Sequence, residues 1–346
     1  MKDDYKKIIR ENLNNTLDSG YIEELGEHLK GKVRHVHFPE GKEIGRPVVM
    51  VASDRVSVFD HVLDRKIPFK GIVLNKLNEW AMNNTTDIIK NASLPSPHPS
   101  VLIQKYCNNI MVECVVRGYV WGSMAGEYES GQRDFYGTHF EDGLLRYQKL
   151  EEPFFTPTTK AEHDEAMTYA EVEEKLGKDV AAKVKSISIE LYKRASQLAK
   201  ERGLLFIDTK YEFGFDENNE LTLIDEANTP DSSRYSYIEE YEKFEKIKSE
   251  MEAGNYANVT ELLTEKPELK IKELSKQFVR DIITEKGFSY GSSGDVPNLD
   301  DDDVVEVSNR YIKLYENLTG EKFEFPDENI GLMNSLKQKL KEGGIL

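Results

Sequence analysis

The stretch LLFIDTKYEFGFDENNELTLIDEANTPDSSRY, residues 204 to 235, places Asp208, Lys210 and Glu212 at alternate positions. In an extended strand they share one face, while Leu205, Ile207, Tyr211 and Phe213 share the other. If ENNE, Glu217 to Glu220, forms a four-residue hairpin loop, Glu212 stands opposite Asp225, with Cβ atoms roughly 5 Å apart. Two carboxylates directly opposed repel each other unless a divalent cation lies between them. Hard oxygen donors suit Mg²⁺, which takes one or two protein carboxylates together with phosphate oxygens. Lys210 beside them suits a phosphate. Asp231, Ser232, Ser233 and Arg234 of TPDSSR follow directly and add groups suited to a ribose and a phosphate. The plain alternative is a solvated strand face, and a register slip of one residue would move Asp225 away from Glu212.

Smaller polar clusters lie elsewhere. In GKVR, Gly31 to Arg34, a glycine beside a lysine lets backbone amides and an ammonium approach phosphates. VVRGYVWGS carries Arg117 and Ser123 at a strand end, where an arginine can clamp a phosphate with two donors. ASDRVSVFDHVL gathers Asp54, Arg55, Ser57 and Asp60, a pattern that is a helix cap or turn more often than a site. His35 and His37 alternate on a strand without a third ligand at useful spacing, so a zinc site is rejected.

The elements that must position these groups follow from periodicity. Residues 1 to 30 show helical spacing (Tyr5, Ile8, Ile9, Leu13, Leu17) and predict one or two short helices. GKVRHVHF, RPVVMVAS, HPSVLIQKY and IMVECVVRGYV read as strands, and NKLNEWAMNN as a helix. A long helix is expected from Tyr169 to Arg202, stopped by Gly203. Further helices are expected in IEEYEKFEKIKSE, IKELSKQFVRDIITEKG and DDVVEVSNRYIKLYENLTG, the last behind an acidic run suited to a helix N-terminus.

With 346 residues the chain suits two domains sharing a cleft. A net charge of -17 argues against a nucleic-acid or anionic-membrane surface, which needs a basic footprint. Cys107 and Cys114 form neither a metal-ligand spacing nor a disulfide framework, and the charged N-terminus is unlike a signal sequence; a cytoplasmic setting is expected.

Taken in order, GKVRHVHF, VASDRVSVFD, GIVLNKLNEW, VVRGYVWGS, FTPTTKAEHDE, DTKYEFG and DEANTPDSSRY closely resemble the SAICAR synthetase family, over about Gly31 to Gly320. The resemblance implies an α+β fold of two domains related to kinases and ATP-grasp enzymes. A helical extension over 1–30 would precede a β-rich ATP-binding domain over 31–112 and a larger α+β domain over 113–346. It implies ligation of L-aspartate to the carboxylate of CAIR, with ATP as co-substrate and Mg²⁺, and neither nucleic acid nor membrane as partner. Carried onto this sequence, Gly31, Lys32, Arg34, Glu113 and Lys210 would contact ATP, and the backbone near Met111 to Val115 would read adenine. Glu212 and Asp225 would hold Mg²⁺ and, with Lys210, form the catalytic set. Arg117, Ser123, Asp208, Asp231, Ser233 and Arg234 would hold the nucleotide substrate, the arginines on its 5'-phosphate. His163 and Asp164 are the candidates for the base that deprotonates aspartate. His35 departs from the family, where an acid commonly follows GKVR. A small-molecule kinase, a different ATP ligase and a catalytically silent nucleotide-binding protein are the competing readings.

Overall fold

The computed structural model describes residues 5–59, 61–161, 165–289, 291–292, 294–326 and 331–346. Asp60, His163 and Asp164 lie outside them. Two antiparallel sheets carry the architecture, which is α+β as expected. The first runs in the order Glu27–Lys30, Arg34–Phe38, Pro47–Ala52, Val101–Lys105, Ser93–Leu94. The second has seven strands built around Leu204–Phe215, which pairs with Val112–Tyr119, Leu221–Ile224 and Ser233–Tyr237. The chain crosses from one sheet to the other between Lys105 and Asn108, which already pairs with Phe215, and Met111 just before strand Val112–Tyr119 takes a positive φ of 56°.

The N-terminal segment is only partly helical. A helix at Tyr5–Glu11 and a 3₁₀ turn at Glu23–Leu25 are followed by strand Glu27–Lys30. That strand pairs with Arg34–Phe38, so Gly31 to Val33 form a hairpin turn, not a helix-to-strand passage. The expected long helix is two, Tyr169–Leu176 and Lys178–Glu201, because Gly177 between them holds φ at +80°, outside the helical region. Thr168 and Glu171 close a capping box on the first of these. Asp300 and Asp303 do the same for Asp301–Thr319, where the acidic run predicted a helix start. Helices at Gly122–Glu129, Val259–Glu265 and Leu332–Glu342 were not anticipated.

The main core forms where Val112, Cys114 and Val116 of the second sheet meet Tyr211 and Phe213, covered by Leu191, Tyr192 and Ala195 of one helix and Val304, Tyr311 and Leu314 of another. The first sheet buries Val49, Val51, Val101 and Ile103 against Leu336 and Leu340, so the C-terminal helix returns to the first sheet although the expected division placed it in the second domain. Among the described residues no helix is long and apolar enough to cross a membrane.

Candidate functional site

Strand Leu204–Phe215 positions the site, and its alternation breaks once. The register shifts between Phe206 and Asp208, and Tyr192 Oη donates to the carbonyls of both Phe206 (2.9 Å) and Ile207 (3.3 Å). This bulge sends Leu205 and Ile207 toward Trp121 and Tyr147, whereas Leu204 and Phe206 join Tyr211 and Phe213 in the main core. The expectation that Leu205, Ile207, Tyr211 and Phe213 share a face therefore fails across the bulge. Beyond it the alternation of Asp208, Lys210 and Glu212 is regular.

The register of the hairpin also differs from expectation. Phe215 pairs with Leu221, so the loop has five residues, 216 to 220, and Glu212 stands opposite Ile224 instead of Asp225. Asp216 causes the extra residue: its Oδ1 accepts the backbone N–H groups of Asn218 and Glu220, both at 2.9 Å. Asp225 is the first residue past the ladder and takes φ +59°. Its carboxylate lies 3.7 Å from Arg34 Nη1, while Arg34 Nη2 donates to Glu226 at 2.6 Å.

Around Lys210 the charges converge. Its Nζ donates to Glu113 and lies 3.9 Å from Glu212 Oε1. Burial opposes the ammonium charge, but Glu113, Glu212 and Asp225 outweigh it and hold the lysine above its ordinary pKa. Glu212 Oε2 accepts from Lys160 and, at 3.1 Å, from Asn109 Nδ2. Thr158 donates to Glu113 Oε2 at 3.2 Å. Lys160 was not singled out by the sequence; it reaches the site across the sheet from a loop.

At the other end of the same strand face Asp208 joins two arginines. Its Oδ2 accepts from Arg117 Nη1 at 3.2 Å and from Arg234 Nη1 at 2.6 Å. Arg117 Nε is held by Thr156 Oγ1 at 3.2 Å. Gly122, at φ +59°, lets Arg234 approach: a Cβ there would sit 3.0 Å from its Nη2. Ser123 follows in the first turn of that helix. Ser233 Oγ is hydrogen-bonded to Thr209 Oγ1 at 2.8 Å. Asp231 is held from behind by Lys70 Nζ at 2.7 Å and Tyr311 Oη at 2.9 Å. Its burial raises the carboxyl pKa, but Lys70 and Lys276 overcome this and hold it at about 2.

A cavity of about 550 Å³ brings Glu113, Arg117, Ser123, Asp208, Lys210, Asp231, Ser233 and Arg234 to one space. A second, of about 1580 Å³, shares Glu113, Ser123, Lys210 and Arg234 with it and adds Gly31 and Lys32. Arg34, Glu212 and Asp225 line neither cavity and are held in the ion pairs above. Lys276, Gln277 and Arg280 line the first cavity as well. KQFVR reads in the sequence as part of a helix and of the family resemblance, without a site role; Lys276 is the N-cap of helix Gln277–Glu285 and Arg280 lies in its first turn. Burial lowers Lys276 to about 8, and its Nζ donates to Ser57 Oγ at 3.1 Å.

Glu273 backs Arg234. Trp121 Nε1 and Ser275 Oγ donate to its carboxylate, and Arg234 Nε lies 3.8 Å away. Burial pushes this carboxyl up from 4.5 to about 7, with Arg234 pulling the other way. Because the folded chain binds this proton more tightly, the associated stability is fully present below pH 4.5 and lost as pH rises through about 7. Glu273→Gln is expected to flatten the dependence of the urea midpoint on pH across that window. An undiminished slope would contradict this.

The residues present fit magnesium. Among the described residues no three His, Cys, Asp or Glu side chains converge as a metal cluster, but Mg²⁺ with a nucleotide needs only one or two carboxylates. Glu212 offers carboxylate oxygens of that kind, with Oε2 accepting from the Lys160 ammonium. The sequence reading rejects a zinc site for want of a third ligand near His35 and His37; the structure brings the His28 ring to 5.8 and 5.6 Å from theirs, although among the described residues no three His, Cys, Asp or Glu side chains are placed to hold a metal ion.

The SAICAR synthetase family model matches residues 27–256. Phosphoribosylaminoimidazole-succinocarboxamide synthase of Bacteroides fragilis is 40% identical over 302 residues, covering 85% of this chain and 87% of that protein. The enzyme of the same name from Cytophaga hutchinsonii is 40% identical over 319 residues, covering 90% and 94%. The SAICAR synthase structure from Saccharomyces cerevisiae complexed with SAICAR superposes with a TM-score of 0.72 at 28% identity, covering 89% of this chain and 100% of that one. The chain belongs to the SAICAR synthetase family.

Proposed function

We propose that the cleft performs the family's reaction, ATP-dependent ligation of L-aspartate to the carboxylate of CAIR to give SAICAR, ADP and phosphate, by way of an acyl phosphate. The observation that supports it best is the single strand face that runs from the Arg117–Asp208–Arg234 cluster to Lys210, all lining one cavity, with Glu212 next along the strand beyond it. One end suits a nucleotide 5'-phosphate and the other a nucleoside triphosphate, so one cavity wall can bring two anionic substrates together.

A carboxylate is a poor electrophile at neutral pH, and phosphorylation by ATP supplies the missing leaving group. The amine of aspartate then attacks the acyl carbon and phosphate departs. Glu212 and Asp225 would hold Mg²⁺, which neutralises phosphate charge when bound. Lys210 and Lys32 add positive charge at the phosphates, Gly31 and Arg34 shape the turn beside them, and Glu113 keeps Lys210 ionised and aimed. Arg117, Arg234 and Ser123 hold the 5'-phosphate of CAIR, with Asp231 and Ser233 on the ribose side. Most of the acceleration then comes from placing reactants together. In this reading the ATP-binding part spans 31–112 and the substrate-bearing part 113–346, with adenine read by backbone near Met111 to Val115. A cytoplasmic setting belongs to the same proposal and is supported by two cysteines that are both buried and unpaired.

The test is ADP release and SAICAR formation followed together, with ATP, Mg²⁺, CAIR and aspartate present and each omitted in turn. Joint appearance only in the complete mixture is expected. ADP without SAICAR would favour a kinase. Arg234→Ala is expected to raise the KM for CAIR by about 10²-fold, the loss of one charge-assisted contact of about 2–3 kcal/mol. An unchanged KM would remove Arg234 from the phosphate.

A further inference from the structure

Gln104 belongs to strand Val101–Lys105 of the first sheet, yet both ends of its side chain are spent on a residue of the second. Its Nε2 donates to the carbonyl of Asp225 at 2.9 Å, and its Oε1 accepts the Asp225 backbone N–H at 3.0 Å. The reverse amide orientation would set donor against donor and acceptor against acceptor. Gln104 is buried, at 3% exposure. The ladder of the second sheet ends at the pair Glu212 and Ile224, so Asp225 has left that sheet's hydrogen-bonding pattern, and Gln104 supplies both partners its peptide groups need.

Asp225 also holds a positive φ of 59°. A non-glycine residue stays in that region only where its surroundings fix it, and such residues concentrate where a side chain must be aimed. The neighbouring backbone is fastened to the same first-sheet framework: Leu223 N donates to Lys90 O and Ala92 N donates to Leu223 O, each at 3.0 Å. Glu212, in contrast, sits on the long strand of the second sheet.

We infer that Gln104 is a positioning residue for the Asp225 carboxylate, so that the first sheet sets the separation of the Glu212–Asp225 pair. This rests on reading that pair as the metal-holding carboxylates. Partners that orient a metal ligand commonly influence metal affinity by about 10–100-fold when lost. Here the partner acts through the ligand's backbone and ties the metal seat to the sheet on which ATP is proposed to bind.

The test uses Mn²⁺ as the probe, its binding to the full chain with ADP measured by electron paramagnetic resonance. Gln104→Met keeps length and removes both hydrogen bonds. It is expected to weaken Mn²⁺ binding by about 10–100-fold, to leave ADP affinity in EDTA unchanged, and to regain turnover as Mg²⁺ is raised. Unchanged Mn²⁺ affinity would overturn the inference. So would equal losses of Mn²⁺ affinity and metal-free ADP affinity, which indicate a general packing role. Gln104→Glu keeps the acceptor for the Asp225 N–H and opposes its carbonyl, and the same weakening is expected if the methionine variant does not fold. Asp225→Asn in the same assay separates the two layers: if it retains Mn²⁺, the metal reading falls and this inference with it; if it loses Mn²⁺ while Gln104→Met does not, only the positioning role falls.

Discussion

Glu212→Gln and Asp225→Asn are each expected to lower SAICAR formation by about 10³-fold, a loss of about 4 kcal/mol of transition-state stabilisation. Both substitutions preserve side-chain size. Glutamine at 212 can still accept from Asn109, so the local hydrogen bond at 3.1 Å survives. Lys160 and Lys210 lose a shared anion that is 4% exposed, but at 35% and 31% exposure they can turn to water, which the more buried arginines of Asp208 cannot. Asparagine at 225 keeps a backbone held by Gln104 and gives up a 3.7 Å contact with Arg34 in a partly exposed position, which is worth little to the fold. Activity should therefore fall much further than the unfolding midpoint. The two quantities are measured on the same preparations, by product formation and by thermal unfolding. Near-normal turnover in both variants would sink the metal assignment, and parallel loss of activity and folding would make these residues structural.

The same two positions show what a sequence can and cannot tell. The alternation of Asp208, Lys210 and Glu212 depends only on local strand geometry and was legible. The partner of Glu212 was not, because one residue decides the register: Asp216 looks like the last residue of a strand, yet its carboxylate closes the turn and lengthens the loop by one. Asp225 shares the electrostatic neighbourhood of Lys210 all the same, since it is fixed by Gln104 from the first sheet instead of by the hairpin. The bulge at Phe206 and Asp208 similarly redirects Leu205 and Ile207 without any glycine to announce it. The helix behind Asp300 announced itself by period and cap, whereas the helix expected over 169–202 is broken at Gly177 by a positive φ and three others, among them Leu332–Glu342, were not expected. Lys160, Lys276 and Arg280 were missed for a common reason. Their place at the site depends on contacts across the tertiary fold: a lysine beside Glu212 at a sequence distance of 52 leaves no local pattern, and the spacing of Lys276 and Arg280 does not say what they face.

Asp208→Asn is the substitution expected to cost the fold most. Its carboxylate, 5% exposed, is the shared acceptor of Arg117 and Arg234, whose side chains are themselves 11% and 20% exposed. Removing one partner from a buried ionic group leaves the others uncompensated, at about 3–5 kcal/mol. Asparagine keeps an acceptor but no charge, so the low end, about 3 kcal/mol, is the expected loss in the free protein. A phosphate-bearing ligand would place a new anion between the same two guanidinium groups and restore part of that loss. CAIR should therefore raise the unfolding temperature of the variant by more than it raises that of the parent chain. The opposite result is equally informative: if Asp208 itself holds the substrate, its replacement must shrink the ligand-induced shift. Comparing the two shifts at matched saturation decides whether Asp208 serves the nucleotide directly or by holding the arginines that do.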